Sequence, residues 1–86
     1  MKLTEEILSH LGCDTSKGFL YFGVINNCDI YRVIRTGGGK RGNPKYFAVD
    51  NMGNIEWIKG LENINIIHII NPTPQLVSPE LVYQDL

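Results

Sequence analysis

The sequence predicts an α+β fold: a small, mainly antiparallel β-meander of four to five strands, with one short N-terminal helix packed on a face and an extended, proline-containing C-terminal tail. Three observations predict it. Aromatic and β-branched stretches recur at short intervals, clusters of Asn, Asp and Gly separate them, and strands do not alternate with helices as a parallel α/β sheet requires. The 86 residues form one domain, with the core expected over 1–71 and the tail over 72–86.

The helix comes first. Thr4 is a good N-cap, Glu5 and Glu6 favour the positive end of the helix dipole, and Leu3 and Leu8 occupy the positions of a hydrophobic staple. Ile7, Leu8 and Leu11 form its apolar stripe and Gly12 ends it. At about two turns it is marginal alone and must dock on something. Gly18–Ile25 reads as the first strand, and Asn26-Asn27 as a tight turn whose residues tolerate positive φ. Asp29–Thr36 follows, with Tyr31 and Val33 on one face and Ile30, Arg32 and Ile34 on the other. Tyr46–Asp50 and Ile55–Ile58 make a hairpin around Asp50-Asn51-Met52-Gly53-Asn54, with Asp50 bonding its own backbone and Ile55 and Trp57 sharing a face. From Asn63 to Ile70 five isoleucines fit a buried strand or a short buried helix; β-branching and Pro72 favour the strand. Pro72, Pro74 and Pro79 describe the extended tail, and Ser78 with Pro79 proposes a last short turn of helix through Gln84.

Composition narrows the function classes. An apolar content of 43% and a charged content of 20% are those of an ordinary globular protein. Met1–Glu6 turns acidic at once, which argues against a secretory leader, and Ile64–Ile70 is too short to span a bilayer. A cytoplasmic protein is therefore expected, with Cys13 and Cys28 as reduced thiols. His10 and Cys13 have the spacing of two metal ligands, but Cys28 and His68 offer no second pair, so no metal and no cofactor is expected. No nucleophile is visibly paired with a base. His68 among isoleucines reads as a packed residue, and no catalytic activity is expected.

The chemically telling segment is Gly37-Gly38-Gly39-Lys40-Arg41-Gly42-Asn43-Pro44-Lys45. From Ile30 to Val49 there is no acid, while Arg32, Arg35, Lys40, Arg41 and Lys45 supply five of the eight bases, so the net charge of −1 conceals a strongly positive interval. Gly37, Gly39 and Gly42 match a dinucleotide fingerprint formally, but Asn43-Pro44 and a strand follow where that motif needs a helix. The phosphate-loop pattern of nucleotide hydrolases fails too, because no Ser or Thr follows Lys40. A glycine loop at a hairpin tip remains able to fold over phosphates through exposed backbone N–H groups. Arg35, Gly37, Gly38, Gly39, Lys40, Arg41, Gly42, Lys45 and Tyr46 are the expected ligand-binding residues, with Tyr46, Tyr31 or Phe47 offering a base something to stack upon. Ordering three glycines costs ~1–2 kcal/mol each, and a charge-assisted hydrogen bond returns ~1.5–3 kcal/mol. Two or three phosphate contacts are therefore needed, which suits a nucleotide better than a small anion.

The expected function is thus a non-enzymatic module that captures a nucleotide, a cyclic nucleotide or a nucleic-acid backbone through loop 35–45. The alternative is a protein-interaction module, a small inhibitor or regulator whose basic loop meets an acidic patch on a larger protein. A homodimer is expected in that case, through an isoleucine-rich strand at the sheet edge.

Overall fold

A computed structural model describes residues 9–12, 17–34 and 45–77. The chain passes from β1 (Phe19–Ile25) into β2 (Cys28–Val33) through Asn26 and Asn27, whose φ angles of 53° and 65° are both left-handed. Asparagine tolerates that region, and two such residues make the turn whose twist matches a hairpin's strands. β3 (Tyr46–Val49) and β4 (Ile55–Ile58) form a second hairpin around Asp50. Asp50 Oδ1 accepts from the backbone N–H groups of Met52 and Asn54, each at 2.9 Å, and Oδ2 accepts from the Asn54 side-chain amide at 3.1 Å. These bonds, led by the Asn54 backbone, hold the Asp50 carboxyl below its ordinary range, so Asp50 is the turn residue that was expected.

The isoleucine run is where the strand reading fails. Leu61–Ile70 is a helix, α1, and it is the helix of the described residues, at 61–70 rather than N-terminal. Ile64, Ile67 and His68 follow helical spacing and pack on a sheet face already lined by Phe22, Ile30 and Tyr46. Tertiary burial along that stripe outweighs the β-branched preference for a strand. The N-terminal helix expected from Thr4 lies outside the described residues as far as Leu8; of the rest, Leu11 is buried against the opposite sheet face. The tail expectation is also corrected in part. Gln75–Val77 is extended, but as a strand, β5, that pairs antiparallel with β1. The segment beyond it, with the helical turn proposed through Gln84, lies outside the described residues.

The result is one antiparallel sheet in the order β4-β3-β2-β1-β5. Because β4 and β5 occupy opposite edges, α1 must cross one face to connect them. That face holds Phe22, Ile30, Tyr46 and Ile67. The other holds Phe19, Tyr31, Val33, Phe47 and Val49, with Tyr21, Ile55 and Trp57 packed against them. The alternation expected for Tyr31 and Val33 against Ile30 is therefore present, as is the shared face of Ile55 and Trp57.

Asn71 locks the crossover. Between Tyr21 and Val24 the β1–β2 register shifts by a bulge, with Gly23 at φ 88°. The Asn71 side-chain amide, just past the end of α1, donates to the Phe22 carbonyl at 2.6 Å. A backbone acceptor freed by the bulge is thus satisfied by the residue that ends the helix.

On the face away from α1, the Tyr21 hydroxyl donates to Oδ1 of buried Asp29 at 2.7 Å, and Tyr21 and Tyr31 lie ring to ring at 5.1 Å. Burial first, then the Asp29 hydrogen bond and charge, pushes the Tyr21 phenol up to about 12; burial, then the charges of Asp29 and Tyr21, pushes Tyr31 higher still. Both phenols are therefore held neutral in the fold beyond their ordinary value of 10. Their contribution is complete below pH ~10 and is lost as pH rises through the folded values. Urea midpoints measured with rising pH should fall from about pH 10 upward, and Tyr21→Phe should flatten that fall. A wild-type midpoint that stays level to pH ~12 would remove this account.

Candidate functional site

The site begins with strand register. β2 and β3 pair from Asp29↔Val49 to Arg32↔Tyr46, and the Val33 N–H donates to the Lys45 carbonyl at 2.9 Å. The glycine-rich segment therefore lies in the connection between the paired strands β2 and β3. Arg35, Gly37, Gly38, Gly39, Lys40, Arg41 and Gly42 lie outside the described residues; Lys45 and Tyr46 are described.

The register brings more bases to the same end. Gly18 accepts from the Ile34 N–H at 3.2 Å, so Lys17 flanks the start of β1 there. Tyr46 pairs with Ile58, so Lys59 lies one residue beyond, beside Lys45. Arg32, the last residue but one of β2, lies at this end too. The opposite end carries Asp29 and Asp50. Among the described residues no carboxylate forms an ion pair with Lys17, Arg32, Lys45 or Lys59. Two acids lie near by: Glu62, exposed in the first turn of α1, and Glu56 on β4, which lines a neighbouring groove together with Lys59.

Two aromatic rings hold two of these cations. The Lys45 ammonium lies 5.5 Å from the Trp57 ring centre, and the Arg32 guanidinium carbon lies 5.6 Å from that of Tyr46. Arg32 Nε is buried without a hydrogen-bond partner. Tyr46 Oη and His68 Nε2 share a 2.7 Å hydrogen bond, and the His68 ring also meets Phe22 at 5.0 Å. His68 is thus the packed residue it was expected to be, fastening α1 to β3.

This changes the expected role of the aromatics. Tyr46 is 3% exposed, Tyr31 6% and Phe47 0%, so none presents a free face on which a base could stack. Tyr46 positions Arg32 from below instead. The residues not anticipated are Lys17, Lys59 and Trp57. Counting outward from the Asp50–Asn54 turn would have found Lys59, because hairpin register alone sets it beside Lys45.

A groove of about 520 Å³ opens here, lined by Lys45, Trp57, Ile58, Lys59, Gly60 and Ile64 among others. It falls within the ~300–1,000 Å³ common for small-molecule sites. Gly60 precedes α1 with φ 94° and no side chain caps the helix, so the positive end of its dipole faces the same region. The chemistry offered is two exposed ammonium groups, that of Lys45 stacked on Trp57, beside uncapped backbone N–H groups. That set attracts anions and contains no nucleophile–base pair. Among the described residues no group of three or more His, Cys, Asp and Glu is placed to hold a metal, and no helix is long and apolar enough to cross a membrane. No protein-family model, curated protein or solved structure matches the chain.

Proposed function

We propose that this chain is a non-enzymatic module that captures an anionic ligand, a nucleotide, cyclic nucleotide or nucleic-acid backbone, through loop 35–45 and the basic end of its sheet. One observation carries the reading: four described bases lie along the end of the sheet from which that loop departs, without carboxylate partners among the described residues. Lys45 and Lys59 sit side by side, an arrangement that repels itself until something negative lies between them. A field of one sign at one end also attracts a polyanion whatever the net charge.

The test uses Trp57, the only tryptophan, as the reporter, since Lys45 stacks on it. Titration with oligonucleotides, nucleotides and cyclic nucleotides should change its emission for at least one class. Lys45→Ala with Lys59→Ala, and separately Lys40→Ala with Arg41→Ala, should each weaken that binding by about 10-fold or more. A steep loss with salt marks a polynucleotide and a shallow one a mononucleotide. A wild type silent to the whole panel, or both pairs binding as it does, would end the proposal.

A further inference from the structure

α1 carries two apolar stripes at the same spacing. Ile64 and Ile67 point to the sheet. Ile66, Ile69 and Ile70, also at i, i+3 and i+4, point away and are 48%, 77% and 56% exposed. A surface helix normally turns polar residues outward, and a helix apolar on both sides is the pattern of one covered on both. The isoleucine run that resembled a buried strand in the sequence is thus only half buried by this fold.

Charge indicates what covers the outward stripe. From Asn63 to Pro79 there is no Asp, Glu, Lys or Arg; Glu62, one turn before Ile66, is the one charge at the N-terminal end of the stripe, and the other polar neighbours on α1 are the amides of Asn63 and Asn65. A strongly acidic or basic partner would desolvate its charges against this face with nothing to pair them. A copy of the same face brings only Glu62, which helices crossing antiparallel at Ile66 and Ile69 leave at the solvated rim, and an isologous contact requires a surface that complements itself. We propose that a second copy of this chain covers the stripe, α1 against α1 across a two-fold axis. The helices run antiparallel. α1 begins at the basic end, so antiparallel crossing sends the two basic ends apart, whereas a parallel crossing would crowd Lys45 and Lys59 of both copies together. Isoleucines at the crossing fit an interaxial distance of ~8–10 Å. Three isoleucines per copy make less than the ~800 Å² that a standard interface buries on each side, so the dimer is expected to be micromolar rather than nanomolar. The inference does not depend on the anion reading, because neither stripe nor test involves a ligand.

Sedimentation equilibrium of the full chain, from about 1 to 500 µM, should give a mass approaching twice 9.7 kDa as concentration rises. Ile69→Glu should leave the monomer's far-ultraviolet spectrum intact, since the side chain is mostly exposed, and weaken the dimer by roughly 100-fold. Ile69→Gln serves if the glutamate variant folds poorly, and should also shift the equilibrium toward monomer. Amide exchange of α1 should slow as the wild-type concentration rises. A wild type that remains monomeric throughout overturns the proposal. So does an Ile69→Glu chain that still dimerises, or a monomer whose melting temperature drops with that substitution, which would mean the stripe is covered from within its own chain.

Discussion

Phe47→Ala should bring this protein to the edge of unfolding. Phe47 is fully buried, stacks on Tyr31 at 5.4 Å, and meets Phe19 at 6.0 Å and Trp57 at 5.8 Å edge-on. It joins β1, β2, β3 and β4 through one ring. Removing a buried phenylalanine costs ~3–5 kcal/mol, from lost transfer energy and from the cavity left behind. A domain of this size has ~4–13 kcal/mol in total. The expected readout is a melting temperature lower by more than about 12 °C, or no cooperative transition at all. Phe47→Leu should cost about 1.5 kcal/mol or less by refilling much of the space. Met52→Ala, at an 81% exposed turn position, should stay within about 0.5 kcal/mol of wild type. If Phe47→Ala melts like Met52→Ala, the face away from α1 is not the core described.

Gly23→Ala should have the next largest effect, and for a different reason. The bulge sets Gly23 at φ 88°, and a Cβ built there would sit 3.1 Å from the Asn71 amide nitrogen. Backbone strain of ~1–2 kcal/mol adds to the loss or bending of the Asn71–Phe22 bond, worth ~1–2 kcal/mol, so a total of about 2–4 kcal/mol is expected by urea unfolding. Asn71→Ala alone should cost ~1–3 kcal/mol, because the Phe22 carbonyl is then left without its partner. The two changes act on one contact, so the double variant should be less destabilised than their sum. Full additivity would show that bulge and helix end are not coupled, and the crossover would need another anchor.

The hairpins were legible in the sequence because their signals are local. Asn26-Asn27 and Asp50–Asn54 are short-range turn chemistry, and period-2 alternation sorts Tyr31 from Ile30 without knowledge of any other strand. α1 was misread because isoleucine's local preference is for strands, while the stripe Ile64–Ile67–His68 gains its advantage only against Phe22 and Tyr46, some twenty to forty residues away in the chain. β5 was hidden for a related reason. Three residues between a proline pair and Ser78 carry almost no strand signal, and only the open edge of β1 makes them pair. At the site, charge segregation was visible from composition, but Lys17 and Lys59 are remote in sequence and come to the same end of the sheet only through strand register.

The sequence by itself therefore determined the turns, the alternation of faces, the antiparallel class and the acid-free interval around the glycines. Each depends on residues within a few positions of one another, where backbone sterics and side-chain period decide. Tertiary structure alone decided that the isoleucine run is a helix, that the tail supplies the fifth strand, that Tyr46 is a support rather than a surface, and that the bases share one end. Those outcomes rest on burial and pairing between distant segments, whose free energy exists only once the sheet has assembled.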